Sequence, residues 1–124
     1  MGWKNLDDLH AYQRRRSARY AEVGRQLEDD VEKLLGEMKA AGEITGFFHH
    51  PPCSPADRDG RDFSVSQKIG DLTVTRTFGI TISPRRAGQS RARHPEVPLF
   101  CFPIGTGKPT QRKRILELFQ QPSR

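Results

Sequence analysis

"DFSVSQKIGDLTVTRTFGITIS", residues 62–83, decides how this chain folds, because its apolar residues return at every second position. Phe63, Val65 and Gln67 alternate with Asp62, Ser64, Ser66 and Lys68, and the period resumes after the turn signal "IGD". In the second run Leu72, Val74, Phe78, Ile80 and Ile82 share one face, interrupted only by Arg76. Thr73, Thr75, Thr77, Gly79, Thr81 and Ser83 share the other. Side chains alternate sides along an extended strand, so this period spells a sheet with one buried and one polar face. The two runs are expected to pair as a hairpin.

Upstream, "EITGFFHH" (43–50) reads as a first strand, ended by Pro51 and Pro52. Before it the period changes to three and four. Tyr20, Val23, Leu27, Val31, Leu34, Leu35, Met38 and Ala41 form one stripe, which predicts a long helix over residues 6–41. Asn5 followed by Asp8 resembles a capping signal, and Gly42 is a natural stop. Downstream, "PRRAGQSRARHP" (84–95) predicts a short basic helix opened by Pro84. "VPLFCFPIG" (97–105) reads as a strand covered on both faces, and "TQRKRILELFQQ" (110–121) as a closing helix with Ile115, Leu116, Leu118 and Phe119 inward. The expected architecture is α/β: an αβββαβ core with a mixed central sheet of about four strands, a long N-terminal helix and a C-terminal helix. Residues 1–19 read as an N-terminal helical, basic segment, 20–121 as a single domain and 122–124 as a tail.

At 124 residues, one domain with a modest core is expected. Lys and Arg total 21 against 15 acidic residues, giving a net charge of +6, which favours a polyanionic partner. Arginine outnumbers lysine, and its planar fork suits phosphate. No run approaches the ~20 apolar residues of a membrane span, so no membrane role is expected. The N-terminus "MGWKNLDDLH" does not read as a secretory signal. The two cysteines, Cys53 and Cys101, lack CxxC spacing and read as free thiols in a cytoplasmic protein.

The αβββαβ order with Asp62 opening the second strand resembles the restriction-endonuclease-like superfamily, the PD-(D/E)xK nucleases. The resemblance covers roughly residues 27–119. It implies an aspartate at the start of the second strand, an acidic-x-lysine triplet on the third, and often a glutamate from the first helix. Such carboxylates hold Mg²⁺, which activates water for attack at phosphorus. Carried over to this chain, Asp62 takes the strand-opening position. Glu28, Glu32 or Glu37 could supply the helix carboxylate, with Glu32 preferred. Thr81 and Ser83 stand where the acidic residue and lysine belong, and neither hydroxyl replaces them. An active version would use Asp62 and Glu32 as catalytic metal ligands, with Lys68 or Arg85 as the phosphate-facing cation.

Other motifs are weighed and set aside. Asp57 and Asp59 in "DRDG" read as turn chemistry, since an EF-hand count puts Lys68 at the twelfth position. His49, His50 and Cys53 do not make a zinc set by themselves, because adjacent strand residues point to opposite faces; His94 and Cys101 could complete one only by accident of folding. "GTGKPT" (105–110) lacks P-loop spacing, yet it precedes a basic helix start that can hold a backbone phosphate.

Three basic stretches carry the partner reading: Arg14, Arg15, Arg16 and Arg19; Arg85, Arg86, Arg91 and Arg93; and Lys108, Arg112, Lys113 and Arg114. They could merge into one nucleic-acid-binding surface. The expected function is a small basic protein that binds nucleic acid, DNA favoured over RNA, through phosphates, with a catalytically incomplete nuclease-like core, as a possible subunit of a nucleoprotein complex. An active Mg²⁺-dependent endonuclease, or a module binding a protein partner through the long helix, are the alternatives.

Overall fold

The computed structural model describes residues 6–51, 54–58 and 60–120. Asn5, Cys53 and Asp59 lie outside them, as do the side chains of Arg14, Arg15, Arg16, Arg19, Tyr20 and Asp57. The chain is an α/β fold in the order α1 (Leu6–Ala40), β1 (Gly46–His49), α2 (Pro55–Arg58), β2 (Phe63–Ile69), β3 (Leu72–Thr81), α3 (Pro84–Arg93), β4 (Leu99–Cys101) and α4 (Lys108–Glu117). A 3-10 turn, Leu118–Gln120, extends α4. The four strands form one mixed sheet in sequence order, with β1–β2–β3 antiparallel and β4 parallel to β3. The hairpin register is the one alternation demands, with Phe63 opposite Phe78 and Ser64 opposite Thr77. Gly70, at φ +62°, takes the backbone bend that a two-residue hairpin loop requires of its first residue.

One sheet face meets α1 and α4. Leu27, Val31, Leu34, Leu35 and Met38 of α1, Phe63, Val65 and Phe78 of the sheet, and Ile115 and Leu118 near the C-terminus form one core. Ala41, assigned to the stripe from spacing, is exposed because the helix ends at Ala40 and the chain turns through Gly42. An aromatic ladder crosses the sheet on this face. His49, Phe63, Phe78 and Phe100, one ring from each strand, stand at centroid separations of 4.3, 5.7 and 5.3 Å, and Phe102 continues the row at 5.6 Å. Arg76 breaks the apolar alternation for a reason: its Nε donates to the Leu118 carbonyl (3.3 Å) and so ties β3 to the C-terminal turn.

The other face is partly covered. Gly79 points to that side, where the Gly60 carbonyl lies against it; Gly60 in turn sits beside Ser90 and His94 at the end of α3. Gly60 and α3 therefore cover the β3–β4 end, on the side away from α1 and α4. The apolar run 97–105 contributes only three strand residues at the sheet edge, with Val97 and Phe102 buried as plugs on either side of it. The charged stretch before β2 contains one helical turn, α2, where a simple turn is expected from "DRDG".

Candidate functional site

β2 begins where β3 ends, so Asp62, Thr81 and Ser83 come to the same end of the sheet. β3 outlasts its partner: the β2 pairing stops at Phe78, while β3 runs on to Thr81 beside β4. The Ile80 N–H would then face an empty strand position, and Asp62 fills it. Its Oδ2 accepts from Ile80 N–H at 2.7 Å, while its own backbone N–H donates to the Phe78 carbonyl at 2.9 Å. Asp62 therefore continues the β2 ladder with a side chain.

The two hydroxyls on β3's far end also shape backbone. Thr81 Oγ1 accepts from Ser83 N–H (3.2 Å), and Ser83 Oγ accepts from Arg86 N–H (3.3 Å) as the N-cap of α3. Beside them a groove of about 240 Å³ is lined by Arg25 and Glu28 of α1, Thr81, Ser83, and Arg86 of α3. Glu28 is thus the helix glutamate that reaches this end of the sheet. Glu32 lies opposite His49 Nδ1 at 3.7 Å, and Glu37 accepts from Lys108 Nζ at 3.0 Å. Lys68 is the penultimate residue of β2, so about 20 Å of extended chain separates it from Asp62. Of the two candidate cations only Arg85, at the start of α3, stands at the correct end. Among the described residues no three carboxylate, histidine or cysteine side chains converge. The residues present do not fit a Mg²⁺ site of the kind Asp62, Glu32 and Lys68 would make.

His49 and His50 turn to opposite faces, His49 onto Phe63 and His50 onto Ser64 Oγ at 2.8 Å. The basic stretches part in the same way. Arg85, Arg86, Arg91 and Arg93 are exposed on α3, a helix without an acidic residue, although Arg91 also donates to the Leu99 carbonyl (3.1 Å). On α4, across the sheet, Lys108 pairs with Glu37, Arg112 with Glu43, and Arg114 with Glu117 at 3.9 Å. Lys113 is exposed on the wall of a second groove, about 580 Å³, between α1 and α4. The two stretches do not merge into one surface, because α3 and α4 cover opposite faces of the sheet.

These contacts give Asp62 a role that mutation can separate from chemistry. Asp62→Ala is expected to lower stability by about 1–2 kcal/mol, since Ile80 N–H loses its acceptor. Asp62→Asn keeps a carbonyl oxygen there and should retain most of that stability. Urea unfolding of the two variants checks this; equal stability of Ala and Asn would refute the ladder role.

No protein-family model matches the chain, and neither a curated protein nor a solved structure matches it.

Proposed function

We propose that this chain is a small nucleic-acid-binding protein, DNA favoured over RNA, built on a restriction-endonuclease-like core whose cleavage constellation is incomplete. The observation that carries the reading is α3, whose exposed arginines face solvent with no acidic residue on the helix. Arg85 and Arg86 sit in its first turn, where the helix dipole adds to their attraction for phosphate. Guanidinium groups there neutralise backbone phosphates and release counterions, which gives affinity without sequence readout. The αβββαβ order and the placement of Asp62 support the kinship of the core. Its incompleteness rests on Asp62 serving Ile80 and on hydroxyls at 81 and 83.

A binding series settles the matter. Fluorescence anisotropy of a labelled duplex and its single strand, read across salt concentrations with Mg²⁺ or Mn²⁺ present, is expected to give affinity that falls steeply with salt and no cleavage. Absence of affinity at low salt would refute the reading. Cleavage abolished by Asp62→Ala would instead favour an active endonuclease with relocated groups. A partner-binding reading draws on α1: the described core takes its first α1 residue at Leu27, and about 30 Å of helix precedes it.

A further inference from the structure

Among the described residues, no helix packs on the face of β1, β2 and β3 that is turned away from α1 and α4, short of the β3–β4 end. Alternation places Phe48 and His50 from β1, Ser64, Ser66 and Lys68 from β2, and Thr73, Thr75 and Thr77 from β3 on this side. α1 and α4 pack on the opposite side, and among the described residues α3 and Gly60 cover this side at the β3–β4 end. Among the described strand residues on this face none is acidic; Asp62, which precedes β2 in the same alternation, has its carboxylate held by Ile80 N–H, and the arginine-bearing helix α3 borders the face.

From this geometry we infer that the face is a bed for single-stranded nucleic acid, with Phe48 as the platform on which a base stacks. The inference rests on the nucleic-acid reading above and names the form of the ligand. Phe48 is 56% exposed on the edge strand β1, and its ring meets His50 edge-on at 5.1 Å and 72°. His50 Nε2 is hydrogen-bonded to Ser64 Oγ (2.8 Å), and Ser64 Oγ to Thr77 Oγ1 (3.0 Å). This chain of contacts runs across three strands and ends on the Phe48 ring. Ser66 and Thr75 make a second cross-strand hydroxyl pair at 2.9 Å. Hydroxyls both donate and accept, so they can meet base edges and sugars of any sequence. A duplex keeps its bases stacked on one another and presents nothing for Phe48 to stack on; an unpaired strand presents them. Its phosphates then lie within the field of Lys68 and of the α3 arginines.

The test uses the full chain and three ligands: a labelled thymidine 12-mer, an abasic strand of equal length and charge, and a duplex. Phe48→Ala is expected to weaken binding of the thymidine strand about tenfold, within the range for loss of one stacked base. Affinity for the abasic strand should not change. In a Trp3→Phe, Phe48→Trp double variant, the tryptophan emission should be quenched by the thymidine strand and unaffected by the abasic one. Phe48→Leu keeps apolar bulk without the ring, and should lose as much affinity as Phe48→Ala; it keeps the test decisive if the alanine variant is poorly folded. The inference fails if Phe48→Leu binds the thymidine strand like the wild type, if the abasic strand quenches equally, or if the duplex binds more tightly than the single strand. In those cases the phosphate reading stands. Absence of binding to all three ligands removes both.

Discussion

Gly79→Ala should be the most damaging small change in this protein. A Cβ at that position would lie 2.1 Å from the Gly60 carbonyl oxygen and 3.0 Å from Leu99 Cδ1. The first contact is with backbone, so no side-chain rotation relieves it. Gly60 sits at φ +81°, beside the side chains of Ser90 of α3 and of His94 just after it. The loop must therefore lift, and it carries Asp62, so the bond to Ile80 N–H is lost as well. Overpacking together with a stranded strand N–H amounts to about 3 kcal/mol or more. For a domain of ordinary stability that shifts the urea midpoint down by about 1–2 M. Gly36→Ala is the control, since a Cβ there meets nothing within 4 Å on α1. It should gain about 0.5–1 kcal/mol from helix propensity. A Gly79→Ala midpoint equal to that of the wild type would refute the loop-on-strand packing.

The second large effect concerns binding. Replacing Arg85, Arg86 and Arg93 together by alanine should lower affinity for nucleic acid about a hundredfold or more at low salt, as three charge-assisted phosphate contacts are lost. The slope of log affinity against log salt should flatten by about 2 for a single strand, or nearly 3 for a duplex. Stability should change by less than about 0.5 kcal/mol, because all three side chains are exposed on a helix whose buried residue is Ala87. The pair Lys108→Ala and Arg112→Ala makes the contrast. Those cations already face Glu37 and Glu43, so their removal should cost about 0–1 kcal/mol of stability per pair and leave the salt slope nearly unchanged. Equal loss of affinity from both sets would overturn the assignment of α3 as the phosphate-facing element.

Much of the fold is legible in the chain because it is local. The period of two in residues 62–83 carries the hairpin and its register, with Gly70 setting the turn. The stripe from Leu27 to Met38 carries the packed half of α1. The break at Arg76 in the alternation of β3 is not legible locally, since its partner, the Leu118 carbonyl, lies 42 residues away. Residue type and spacing leave Lys68 open as a partner of Asp62; the length of a straight strand sets the two apart. Among the helix glutamates, spacing does not tell Glu28 from Glu32 or Glu37, because the placement of α1 along the sheet decides which of them stands beside the end of β3.

The sequence by itself determined the elements, their order and the sign of the charge, since alternation, helical spacing and composition are properties of neighbouring residues. Tertiary structure alone decided what Asp62 and the arginines can do. Asp62 serves a backbone N–H because β3 extends beyond the end of β2, a difference in strand length that neither strand encodes alone. The α3 arginines are exposed while Lys108 and Arg112 are paired, because the two helices cover opposite sides of one sheet and α4 lies beside Glu37 of α1 and Glu43 of its following turn.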